Sequence, residues 1–192
     1  RSTPTPGTAF NAQSIGTMTE NDDNTSRLGH SLSISTDENF IVAGAPFTNT
    51  IGSDGSTRFS DAGLIKIYIW DPSTFKYGSL STLTPPTDAA SQNFGASHMI
   101  CEAGITSTRS TAAKYLFVGA PGFNSNRGRV YVYDWGTGAD GSTYDTWTQV
   151  NTIDSSSGGS GQKFGENIAA NDNGDIIAIS SLAPGTAGKV EI

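Results

Sequence analysis

The sequence predicts an all-β protein built from three similar four-stranded units. Three observations predict it. Hydrophobic residues make up 35% of the 192, charged residues 15%, and 23 are glycine. That is too poor in Leu, Ala, Glu and Lys for a helix bundle and too rich in aromatic and β-branched residues for disorder. Three landmarks recur in the same order three times. The third landmark alternates apolar and other side chains with the period of two that marks a strand.

Segment 1–27 comes first and holds a candidate strand. Ala12, Ile15 and Met18 repeat the spacing of Tyr77, Leu80 and Leu83 and of Trp147, Val150 and Ile153. The latter two sets end 11 residues before a Phe-Gly pair, and Met18 lies 10 residues before Leu28. A spacing of three is not strand alternation, so a bulged strand is expected at each place. Asn24-Thr25-Ser26 is an N-glycosylation sequon, and Asn24 is its candidate acceptor. The Ser/Thr/Pro-rich start could carry O-glycans.

The three units follow as 28–93, 94–163 and 164–192. They open with Leu28-Gly29-His30-Ser31, Phe94-Gly95-Ala96-Ser97 and Phe164-Gly165-Glu166-Asn167, 66 and 70 residues apart. Next come Val42-Ala43-Gly44-Ala45-Pro46, Val118-Gly119-Ala120-Pro121 and Ser181-Leu182-Ala183-Pro184, the last departing most from the pattern. Gly63-Leu64-Ile65-Lys66-Ile67-Tyr68, Gly128-Arg129-Val130-Tyr131-Val132-Tyr133 and Gly188-Lys189-Val190-Glu191-Ile192 complete the set. Phe40-Ile41-Val42-Ala43 and Tyr115-Leu116-Phe117-Val118 are continuous apolar runs, expected as central strands buried on both faces. Asp37-Glu38-Asn39 and Asn171-Asp172-Asn173-Gly174-Asp175 are expected as tight turns.

These landmarks resemble the FG-GAP repeat family, the blade unit of integrin-type β-propellers. The resemblance runs from about Ala9 to Ile192 and is strongest from Phe94 to Asp134. It implies one four-stranded blade per repeat, with the motif glycines admitting positive φ and close strand approach. A closed propeller takes four to eight blades, whereas three units are present and the third stops at Ile192 within its third strand. The N-terminal segment has the spacing of the missing fourth strand. It is therefore expected to complete the last sheet, in its own chain or in a neighbouring copy by strand addition. Ala12, Ile15, Met18, Val190 and Ile192 are the candidate assembly residues. The expectation leans towards assembly; a piece of a longer propeller and a self-closed monomer are the other two possibilities.

Charge and composition narrow the function. The net charge of −7 gives no basic footprint for nucleic acid. No apolar run nears the ~18 residues of a membrane span, so no membrane insertion is expected. A single cysteine, Cys101, forms no intrachain disulfide. Low charge with much Ser, Thr, Asn and Gly suits an extracellular or cell-surface setting.

Site chemistry is sparse. Many FG-GAP repeats hold calcium, which needs six to eight oxygens. Asp172 and Asp175 are the nearest candidates and are weak ones, so no cofactor is expected. His30 and His98 lie in no metal or triad motif, and Cys101 is expected as a small residue in or beside a strand. No nucleophile elbow, phosphate loop or zinc spacing is present, so no catalytic residue is assigned. Tyr68, Trp70, Tyr131, Tyr133, Trp135, Tyr144 and Trp147 fit packing between sheets better than sugar stacking. The function expected is that of a non-enzymatic structural subunit, self-assembling into a fibre or surface layer through strand complementation. The alternative is an adhesion module binding a protein or glycan ligand on its loops.

Overall fold

The computed structural model describes residues 26–103, 113–136, 146–156, 159–182 and 187–192. The chain is all-β, with several antiparallel sheets and none closed into a barrel among the described residues. The first sheet has the order β1 (Ser31–Ile34), β2 (Phe40–Ala45), β5 (Leu64–Asp71) and β6 (Lys76–Leu83). A two-stranded ladder, β3 (Thr50–Ile51) and β4 (Arg58–Phe59), is inserted between β2 and β5. The second sheet is the meander β7 (Ser97–Ala103), β8 (Ala113–Ala120), β9 (Arg129–Trp135) and β10 (Trp147–Ile153). The third has three strands, β11 (Ile168–Ala170), β12 (Ile177–Ser181) and β13 (Lys189–Glu191).

Each element follows from its residues. The runs 40–45 and 113–120 are central strands, and Val42, Leu116 and Val118 are wholly buried between two covered faces. The alternation in β5 points Ile65, Ile67 and Ile69 into one core, as expected. The two fourth strands carry the irregularity their spacing of three demands. Leu80 is the extra residue between Ser79 and Ser81 opposite β5, and Val150 is the extra residue between Gln149 and Asn151 opposite β9. The turn between β1 and β2 is built by Asp37, whose carboxylate accepts from Ser35 Oγ at 2.6 Å and from Asn39 N at 3.1 Å.

Two cores lie between the sheets. In the first, Phe40, Val42, Ile65 and Ile67 of the first sheet meet Ile100, Leu116, Tyr131, Tyr133 and Trp147 of the second. Phe40 sits edge-on to Trp135 and Trp147, with ring centroids 5.2 and 6.0 Å apart. The aromatic residues of β9 are thus packing groups. In the second core, Cys101, Phe117, Val130 and Val132 meet Phe164, Ile168, Ile177 and Ile179. The opening strands β1, β7 and β11 are neighbours in that order.

Candidate assembly edge and junctions

Both junctions are made by the Phe-Gly pair of one sheet entering the sheet before it. Phe94 N donates to the Ala62 carbonyl at 2.9 Å, and Phe164 N donates to the Arg127 carbonyl at 3.0 Å. Both rings are buried, which stabilises each junction by about 2 kcal/mol per ring. The loops leading in repeat the same bonds. Ser91 N and Asn93 N reach Ser60 O and Asp61 O; Gly161 N and Lys163 N reach Ser125 O and Asn126 O.

The receiving sheet makes room with glycine. A Cβ at Gly44 would collide with the Gly95 carbonyl oxygen, and one at Gly119 with the Gly165 carbonyl oxygen. Gly63 and Gly128 face Phe94 and Phe164 with φ of 86° and 81°, a region costly for other residues. A serine then secures the entering backbone. Ser31 Oγ lies 2.8 Å from Gly95 O, and Ser97 Oγ donates to Gly165 O at 2.7 Å.

The third sheet follows the register but not the chemistry. Gly44 pairs with Ile65, Gly119 with Val130, and Ser180 with Val190. Gly29 N, Gly95 N and Gly165 N donate to the carbonyls of Gly44, Gly119 and Ser180 respectively. The residue matching the motif glycine is therefore Ser180, not a residue of the stretch 182–184 that the sequence pattern suggested. The Ser180 hydroxyl accepts from Asn167 N at 3.0 Å, and Asn167 replaces the junction serine. Gly188, the counterpart of Gly63 and Gly128, meets nothing closer than 3.5 Å and lacks their positive φ.

The outer edge of β13 has no strand beside it among the described residues. Val190 is 62% exposed and Ile192 92% exposed. By register Val190 matches Ile65 and Val130, which are wholly buried. Glu191 is bound by Ser155 Oγ at 2.6 Å and Ser156 N at 3.0 Å. Burial acts to raise the Glu191 pKa, but these bonds and Lys189 outweigh it and bring the pKa down to about 2. Ala12, Ile15, Met18 and Asn24 lie outside the described residues, as does Tyr144.

The remaining candidates take structural positions. His98 is buried at the first junction, with Nε2 3.0 Å from Val42 O and Nδ1 2.7 Å from Ser31 Oγ. Burial lowers its pKa to about 4 against the raising effect of the Val42 bond. This Ser–His contact has no carboxylate behind the ring, and it ties β7 to β1 and β2. His30 is exposed, with Nδ1 3.3 Å from Ala96 O. Cys101 is buried, and burial, with the Asp172 charge, pushes its thiol up to about 11.

Asp172 and Asp175 lie in the turn between β11 and β12. Asp175 is bonded by Asn171 Nδ2, Asn171 Oδ1 accepts from Ile176 N at 3.1 Å, and the Asp172 carbonyl accepts from Glu102 N at 2.8 Å. The turn supplies two carboxylates where calcium takes six to eight oxygens. Among the described residues no group of three or more His, Cys, Asp or Glu side chains could hold a metal ion. Nor is any helix among them long and apolar enough to cross a membrane. Lys114 is buried and bridges the first two sheets, 2.7 Å from Asp37 and 2.9 Å from Glu102.

Sequence reasoning missed the β3–β4 ladder, the Lys114 bridge and the role of Ser180. The two-residue strands carry no periodic signal, and Lys114 pairs across 77 positions of sequence. The third could have been found by counting from Asn167 instead of matching Ala-Pro. No protein-family model and no curated protein matches the chain.

Proposed function

We propose that this chain is a non-enzymatic structural subunit, a propeller-like array of three FG-GAP-type units that self-assembles outside the cell or on its surface. The observation that carries this reading is the outer edge of β13. The first two sheets have a bulged fourth strand, β6 or β10, at that place, and the third has none among the described residues. An unpaired strand edge is a ready template for another strand.

The N-terminal segment repeats the sequence spacing of those fourth strands. Leu83 pairs with Ile65 and Ile153 with Val130; a strand of the same register would bring Met18 opposite Val190. Thr82 and Thr152 precede those residues, and Thr17 precedes Met18. Leu80 and Val150 are the bulge residues, and Ile15 stands at the same distance. Supplied by a neighbouring copy, this strand joins subunits head to tail, a contact that generates rings or open filaments. The partner is then a second copy of the chain, with no cofactor required.

Deletion of residues 1–19 tests the reading. Electron microscopy and sedimentation should show fibres or large species for the full chain and none for the truncated one. Its circular dichroism should keep the signal of the first two sheets. Normal polymerisation of the truncated chain would overturn strand complementation. Uniform 20.0 kDa particles of the full chain would favour the adhesion module.

A further inference from the structure

The two outer faces of the array carry residues that occupy interface positions elsewhere in the same chain. In β7, His98 and Ile100 face the first sheet and are buried. Their register counterparts in β1 are Leu32 and Ile34, which are 66% and 59% exposed. At the other end, Ile176 sits where Phe40 and Tyr115 cover the next sheet, and it is 59% exposed. Val190 and Ile192 sit where Ile65 and Ile67, or Val130 and Val132, are buried. One end thus presents the entering half of a junction and the other end the receiving half. Gly29 also holds a positive φ, 92°, close to the 87° of Gly95 and the 89° of Gly165.

We propose that the outer face of the third sheet receives the outer face of the first sheet of a second copy, Leu32 and Ile34 against Ile176, Val190 and Ile192. Ser180 holds this junction wider than the two inside the chain. At Gly44 and Gly119, the two residues that Ser180 matches by register, a Cβ would strike the entering glycine carbonyl. The Gly29 turn of the second copy therefore stops short of the groove that Gly95 and Gly165 enter. The intermolecular junction keeps the apolar contact and gives up the inserted turn, which makes it the weakest junction of the assembly. This rests on the self-assembly reading and deepens it by naming the surface and its partner.

A heterologous interface has a distinctive mixing signature. Leu32→Asp spoils one face and Ile192→Asp the other. Both residues are exposed, so neither change disturbs the fold of a single chain. Sedimentation of each full-length variant should show self-association weakened by about tenfold or more. An equimolar mixture should give a discrete two-chain species, because one sound face remains on each partner. Ser180→Gly restores the residue of the other two sheets and should strengthen association by about tenfold.

Unchanged polymerisation of both aspartate variants overturns the proposal. So does a mixture no larger than its components, which marks a symmetric contact. A wild-type monomer at every concentration, with both aspartate variants indistinguishable from it, means that the faces are covered within one chain and also overturns it. An unaltered Ser180→Gly variant shows that Gly29 does not face the groove. Deletion of residues 1–19 separates the two ideas. Assembly kept on deletion and lost on Leu32→Asp removes strand complementation and leaves the face contact standing; the reverse pattern does the opposite.

Discussion

Ser31 Oγ and His98 Nδ1 lie 2.7 Å apart across the first junction. The same hydroxyl lies 2.8 Å from Gly95 O, and the far side of the ring lies 3.0 Å from Val42 O. With Nε2–H directed at Val42 O, Nδ1 is left as an acceptor. The single Ser31 proton then serves either the ring or Gly95. A buried neutral histidine therefore organises this junction.

The pH dependence of stability follows from that arrangement. The folded pKa of His98 is about 4, below the ordinary 6.5. Between those values the unfolded chain binds a proton that the folded chain does not, so stability falls as pH falls from about 6.5 to 4. The loss expected is about 3 kcal/mol. Denaturant midpoints over that range should decline in the wild type and stay level in His98→Gln. Below pH 4 the lowered carboxylates Asp37 and Glu191 take over the decline. A flat wild-type profile from 6.5 to 4 would refute this account.

Gly119→Ala should destabilise by about 3 kcal/mol, because the added Cβ meets the backbone carbonyl of Gly165, which cannot swing aside. Gly78→Ala provides the contrast. It lies in β6 with nothing within 4 Å of the added atom, and should stabilise by about 0.5 kcal/mol. Thermal unfolding of the pair reads both; equal effects would show that close approach is not what selects glycine at 119.

Lys114→Met should cost about 2 kcal/mol. It strands Asp37 and Glu102 beside each other, and Phe40 loses the ammonium 5.6 Å from its ring centroid. Chemical denaturation of this variant at low and high salt should show a similar loss, since the cation is buried. A loss that vanished in high salt would point to surface charge alone.

Cys101 should resist alkylation in the folded chain. With its thiol pushed up to about 11, roughly one thousandth is thiolate at pH 8. Mass spectrometry after iodoacetamide should find it unmodified until denaturant is added. Rapid labelling under native conditions would contradict its burial.

Much of the fold was legible because the repeat writes the same contacts twice. Phe94 and Phe164, Gly44 and Gly119, and the spacings around Leu80 and Val150 all point to elements that the structure contains. The third unit misled at one place. Ala183-Pro184 copies the letters of the motif, whereas the hydrogen bond from Gly165 N selects Ser180. Letter matching fails there because glycine is needed only where another backbone arrives. Lys114 and the Ser31–His98 contact were illegible for another reason. Their partners are set by how two sheets stack, which no local pattern records.

The second sheet carries a Phe94-Gly95 turn on one side and the Gly119 and Gly128 clearances on the other. It can consequently follow itself. A gene in which residues 94–163 were duplicated in tandem would encode an extra sheet whose donor and acceptor sides match. Duplicating 164–192 would encode a sheet that Ser180 holds farther from its own twin, in a wider and weaker junction. Lengthening by internal duplication is thus favoured through the second unit and weakened through the third. A designer wishing to vary the number of sheets has one module to copy and one terminus to leave alone.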